Sequence, residues 1–187
     1  MSKVIVFSAP SGSGKSSIIK KVLEHNHDFM FAVSACSRGK RPGETDGLDY
    51  HFLPIEEFKS KIRQDEFVEW EEVYAGQFYG TLKSEITRIF NLKKNVIFDL
   101  DVKGGLKIKS YFKEQALSIF IMPPSIETLH ERLLLRGTET DETLQKRLAR
   151  ASMELNFAKQ FDCQIINDKL DKAVEETLGA IDNFLHC

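Results

Sequence analysis

The run Ala9-Pro10-Ser11-Gly12-Ser13-Gly14-Lys15-Ser16 holds the plainest chemistry in this chain. It follows an apolar segment, Val4–Phe7, and opens a helical pattern, Ser16–Leu23. Strand, glycine-rich turn and helix in that order predict a cradle for phosphate. Glycines let the backbone curl until successive N–H groups point inward at anionic oxygens. The helix N-terminus adds the positive end of its dipole. Ser11, Gly12, Ser13, Gly14, Lys15, Ser16 and Ser17 are the candidate ATP-binding residues. Lys15 would reach the β- and γ-phosphates, and the Ser16 hydroxyl would ligate Mg2+. Ala9 stands where the usual pattern has glycine, and its small side chain tolerates most of the same space. By itself the run speaks of nucleotide phosphate and names no reaction.

Arginine is scarce: eight of the 26 basic residues are arginine and the rest are lysine. Its rigid fork grips phosphate with two bonds, so the positions of these eight carry information. Arg132 and Arg136 are four apart and share one helix face, and Arg147 lies on the next helix. A solvated helix face is the ordinary alternative for such charges. Asp99 ends an apolar strand, where a phosphate-loop fold places a carboxylate near Mg2+. Asp101 could cap the helix that begins near Gly104 or Gly105. Glu69 beside Trp70 reads as a solvated strand residue, and Tyr50 and Tyr79 as packing residues, when each is taken alone. The five histidines have no spacing that suggests a role, and His51 reads as structural.

Five apolar runs predict buried strands: Val4–Phe7, Phe29–Val33, Val96–Leu100, Leu117–Met122 and Cys163–Ile166. Several are continuous, as in strands covered on both faces. Helical patterns lie between most of them, at Ser16–Leu23, Gly105–Phe112, Ser125–Arg136, Asp141–Gln160 and after Asp171. Ser125 can cap its helix, and Gly137 can take the left-handed position that ends it. The alternation predicts an α/β fold, a phosphate-loop core with a five-stranded parallel sheet flanked by helices. The stretch 34–81 breaks the rhythm. It reads as an inserted subdomain with a helix at Ile55–Arg63 and strand pieces at Phe67–Val73 and Phe78–Gly80. The core is then 1–33, 82–124 and 161–187, with a helical lid at 125–160.

Hydrophobic residues make up 42% of the chain and charged residues 29%, the balance of an ordinary globular domain. The net charge of −2 argues against a general nucleic-acid binder. The three cysteines, Cys36, Cys163 and Cys187, are far apart, which argues against a zinc site or a disulfide framework. No apolar run approaches the roughly 20 residues of a membrane helix. A cytoplasmic location without membrane or nucleic-acid partners is therefore expected. The sequence is silent on oligomeric state.

The remaining motifs resemble one family. Val33-Ser34-Ala35-Cys36-Ser37-Arg38, Arg41-Pro42-Gly43-Glu44 and Gly47-Leu48-Asp49-Tyr50-His51-Phe52 are similar to the opening of the GMP-binding region of guanylate kinases. Phe67-Val68-Glu69-Trp70, Tyr79-Gly80-Thr81 and Asp99-Leu100-Asp101-Val102-Lys103-Gly104-Gly105 resemble the motifs that follow. Pro123-Pro124-Ser125, Arg136-Gly137-Thr138 and Asn167-Asp168 resemble the lid entry, the lid tip and the adenine-side motif. The order is kept from Phe7 almost to the C-terminus. Three departures stand out: Cys36-Ser37 for two threonines, Lys103-Gly104-Gly105 for Gln-Gly-Ala, and one extra residue between Trp70 and Tyr79.

The resemblance implies transfer of the γ-phosphoryl group of ATP to GMP, with Mg2+. It implies a GMP site of Ser34, Arg38, Arg41, Tyr50, Glu69, Tyr79, Thr81 and Asp101. Arg38, Arg41, Tyr50 and Tyr79 would hold the phosphate. Glu69 would accept from guanine N1–H and the 2-amino group, and Ser34 and Thr81 would donate to O6. Lys15, Arg132, Arg136 and Arg147 would act on the transferring group. Asn167 and Asp168 would touch adenine, and Ser16 and Asp99 would hold the metal. A phosphopeptide-binding scaffold and a kinase for another phosphorylated acceptor are the competing readings. The intact phosphate loop argues against the first, and the guanine-reading set argues against the second.

Overall fold

The computed structural model describes residues 2–135 and 141–186. The first half of the chain forms β1 (Val4–Ser8), α1 (Lys15–His25), β2 (Phe29–Phe31), β3 (Ala35–Cys36), β4 (His51–Phe52), α2 (Ile55–Arg63), β5 (Phe67–Tyr74) and β6 (Gln77–Leu82). The second half forms α3 (Lys83–Asn91), β7 (Asn95–Asp99), α4 (Val102–Phe112), β8 (Ala116–Met122), α5 (Ile126–Leu135), α6 (Asp141–Leu155), β9 (Cys163–Ile166) and α7 (Leu170–His186).

The main sheet has the order β2-β7-β1-β8-β9, and every neighbouring pair is parallel. Side chains alternate across a strand, and β1 uses both faces. Ile5 and Phe7 pack with Ile18 and Val22 of α1 and with Val174 and Ile181 of α7. Val4 and Val6 pack with Ile86 and Ile89 of α3 and Ile108 of α4. Helices on both faces explain why the strand reads as a continuous apolar run. The chain leaves β1 first toward β7 and β2, then returns past it to β8 and β9. The carboxyl ends of the strands at such a reversal form the crevice where ligands bind in open α/β sheets. Phe7 of β1 stands in register with Asp99 of β7, so the phosphate loop and this carboxylate leave the sheet side by side.

A second sheet, β4-β3-β6-β5, grows from the inserted stretch. Its apolar face joins Ala35, Phe67, Phe78 and Leu82 to Phe58 of α2. Phe58 stacks on Phe67 with ring centroids 4.4 Å apart. The β5–β6 hairpin turns at Gly76, whose φ of 75° suits glycine. α2 matches the expected helix residue for residue. β3 and β4, two residues each, and α3 were not expected.

α4 starts at Val102, three residues before the expected start, because Asp101 caps it: Gly104 N donates to Asp101 Oδ1 at 2.8 Å. Ser125 caps α5 as expected, accepting from Thr128 N at 3.1 Å. α5 and α6 pack through Leu129, Leu133, Leu144, Leu148 and Ala151. The pattern read as one helix over Asp141–Gln160 divides: α6 ends at Leu155, and a 3-10 turn covers Ala158–Gln160. The expected helix end at Gly137 lies outside the described residues. Among those described, no helix is long and apolar enough to cross a membrane.

Candidate active site

Two glycines shape the phosphate loop. Gly12 has φ 97° and Gly14, the residue before α1, has φ 87°. Ser13 N donates to Pro10 O at 3.1 Å and closes the turn. The buried Asn167 amide donates to Ser13 O at 2.7 Å, so the end of β9 braces the loop. Gly14 is doubly constrained, because an added Cβ would stand 2.2 Å from Asn167 Nδ2. Gly14→Ala is expected to lower stability by about 1–3 kcal/mol, from left-handed strain and the displaced brace. A thermal melt unchanged from wild type would refute this account of the loop.

Lys15 forms an ion pair with Asp99 and donates to Leu100 O at 3.0 Å. Both residues line a cavity of about 670 Å3, with Ser11, Ser16, Ser17 and Arg147 among its other walls. Arg147 Nη1 donates to Ser11 Oγ at 3.1 Å. Arg132 faces elsewhere: its Nη2 donates to the carbonyls of Asn167 at 2.9 Å and Asp168 at 3.4 Å. Asp168 is exposed. Arg136 lies outside the described residues.

A second cavity of about 230 Å3 opens against the inserted sheet. Ser34, Tyr50, Glu69, Tyr79 and Asp101 line it. Glu69 is only 5% exposed. Burial pushes its carboxyl up to about 7, against the pull of a hydrogen bond from Thr81, and the charge of Asp101 pushes the same way. Thr81 is fully buried, and its hydroxyl donates to Glu69 Oε1 at 2.8 Å. In this geometry the Thr81 proton is directed at Glu69 and not into the cavity.

Arg38 is held by its own chain. Its Nη1 and Nη2 donate to the two Glu44 oxygens at 2.7 and 2.6 Å, and its Nε donates to Tyr79 Oη at 3.1 Å. The guanidinium lies 5.0 Å from the Tyr50 ring centroid. The Arg38 fork, with a further bond from Arg41 N, holds the Glu44 carboxyl down at about 2. Glu44 in turn raises the Arg38 guanidinium above its ordinary value. Arg41 is exposed.

The two cavities share a wall of Asp99, Leu100, Asp101 and Arg150. The sequence motifs assign no role of its own to Arg150 or to Glu44. The signal for Arg150 was its spacing of four from Glu154, an ion pair in the structure. Asp101 caps α4 and also lines both cavities.

A sequence model of the guanylate kinase family matches residues 1–183. The chain belongs to the guanylate kinase family. The guanylate kinase of Bacteroides thetaiotaomicron is 50% identical over 98% of this chain and 90% of its own length. That of Porphyromonas gingivalis is 48% identical over 99% of both chains. The crystal structure of guanylate kinase from Anaplasma phagocytophilum superposes with a TM-score of 0.76 at 27% identity, over 97% of this chain and 85% of that one.

Proposed function

We propose that this chain transfers the γ-phosphoryl group of ATP to GMP, giving ADP and GDP. The observation that carries the reading is the shared wall between two unlike cavities. One is built on a phosphate loop, and the other holds a buried carboxylate suited to guanine. We assign 34–81 to acceptor binding and 125–160 to the lid, with the rest as core.

Phosphoryl transfer of this kind passes through a loose transition state, so placement and electrostatics do the catalysis. The donor triphosphate would lie on the loop Ser11–Ser17, on the backbone N–H groups that Pro10 O and Gly14 O do not take up. Lys15 would leave Asp99 for the phosphates and steady the charge that builds during transfer. Arg132, Arg136 and Arg147 would neutralise the transferring group from the lid, with Arg132 turning away from Asn167 and Asp168 to do so. The acceptor phosphate would compete with Glu44 for Arg38, helped by Arg41, Tyr50 and Tyr79. Its oxygen is already an anion at neutral pH, so no general base is required. Glu69 would accept from guanine, with Ser34 as the donor to O6, while Thr81 orients Glu69.

Ser16 and Asp99 fit Mg2+. Both are hard oxygen donors on the donor cavity, the ligand type that Mg2+ takes. When bound, the ion neutralises phosphate oxygens.

The test is ADP release with ATP, Mg2+ and a panel of acceptors. GMP is expected to be used far better than AMP, CMP or UMP. Turnover with AMP within a few-fold of GMP would overturn the assignment and favour a kinase of different acceptor choice.

The pH dependence has a definite sign. Guanine needs ionised Glu69, and burial pushes that carboxyl up to about 7. Binding therefore strengthens as pH rises and levels off above that value. Guanosine, which lacks a titrating phosphate, is expected to bind about tenfold more weakly at pH 6 than at pH 8. A flat profile by calorimetry would contradict the role of Glu69.

A further inference from the structure

α6 carries two arginines to the donor cavity. Arg147 reaches Ser11 of the phosphate loop. Arg150, three residues on, lines the same cavity and also the acceptor cavity. Its Nε donates to Glu154 Oε1 at 2.8 Å, and its Nη2 stands 3.9 Å from Asp101 Oδ2. The Glu154 side chain is 15% exposed and so is held by packing. It takes up Nε and leaves the outer edge of the guanidinium to Asp101.

Asp101 is itself fixed. Its Oδ1 caps α4 through Gly104 N, and its carbonyl accepts from Ser8 Oγ at 3.0 Å. A Cβ added at Gly104 would lie 3.3 Å from both Asp101 Oδ1 and Glu69 Oε2. Asp101 therefore stands beside the guanine-reading carboxylate. On the other side, α5 rests on the phosphate loop: a Cβ at Gly12 would lie 2.9 Å from Leu129 Cδ1. α6 is packed on α5. A nucleotide on the loop bears on α6 through Arg147 and α5, and α6 bears on the acceptor wall through Arg150.

We propose that Arg150 is a positioning residue that couples the two nucleotide sites, so that binding of either nucleotide strengthens binding of the other. The inference rests on reading the two cavities as donor and acceptor sites. Thermodynamic linkage then requires one and the same factor in both directions.

Calorimetry on the full chain tests this. Kd for GMP is measured with and without a saturating, non-hydrolysable ATP analogue and Mg2+, and the analogue is then measured with and without GMP. Wild type is expected to show reciprocal tightening of about tenfold, within the usual span of such couplings. Arg150→Ala should bring the ratio close to one, while each nucleotide alone binds within about threefold of wild type. Arg150→Lys should restore part of the coupling, and Glu154→Gln should lose part. The Arg150 side chain is 57% exposed, so these variants are expected to fold, and a melt checks it. A wild-type ratio in Arg150→Ala would overturn the proposal. So would an equal loss of GMP affinity with and without the analogue, which marks direct contact. Absence of coupling in wild type would overturn it as well. Failure of wild type to bind GMP under either condition would instead overturn the functional reading beneath it.

Discussion

Lys15→Met is expected to lower kcat by about 10²–10³-fold, the usual cost of removing one preorganised group that meets developing charge. Lys15 is the loop cation, and it is held by Asp99 and the Leu100 carbonyl. Methionine fills a similar length without the charge. The fold should survive, because Lys15 closes the loop at the protein surface and Ile18, Ile19 and Val22 carry the packing of α1. Single-turnover rates with ATP and GMP, alongside far-UV circular dichroism, decide the matter. A folded variant with wild-type turnover would mean that this loop is not the donor site.

Glu69→Gln should lower kcat/KM for GMP by about 10²–10³-fold. A carboxylate only accepts, and it offers two oxygens to two adjacent guanine donors. Hydrogen bonds to a charged group contribute about 1.5–3 kcal/mol each, and glutamine sets a donor against a donor. The affinity for an ATP analogue should hardly change. Stability should move the opposite way. Burial raises the folded carboxyl above its unfolded value, so the folded state loses stability as pH rises from about 4.5 to about 7. Glu69→Gln removes that cost, and its melting temperature should exceed wild type at pH 8 but not at pH 4.5. A small effect on GMP, or an equal loss on both nucleotides, would make Glu69 a structural residue.

The sequence by itself determined the phosphate loop, the five strands of the main sheet and α2, although the edge strands β2 and β9 are only partly buried. Each is written in local order: glycine spacing and apolar period fall within a few residues. It also singled out the arginines as phosphate candidates, since few were available, but not where they point: Arg147 lines the phosphate-loop cavity, whereas Arg132 bonds the carbonyls of Asn167 and Asp168. Other features depended on contacts that no local pattern records. α3 follows β6 with no turn residue between them and with Leu82 in place of a polar cap, so its start carries no signal. β3 and β4 are two residues long and exist because β3 pairs with β6 of the hairpin and β4 pairs with β3. Glu69 looks like a solvated strand residue until the sheet, Thr81 and α4 close over it, and burial is then the largest cause of its raised titration. Asn167 turns inward to the loop carbonyl across 154 residues of chain. Arg38 is committed to Glu44 six residues away, and Arg150 reaches Asp101 from another helix. Sequence supplies residue types that can bind phosphate or guanine. Tertiary packing decides which charges lose their water and which partners they meet, and those two conditions set their chemistry.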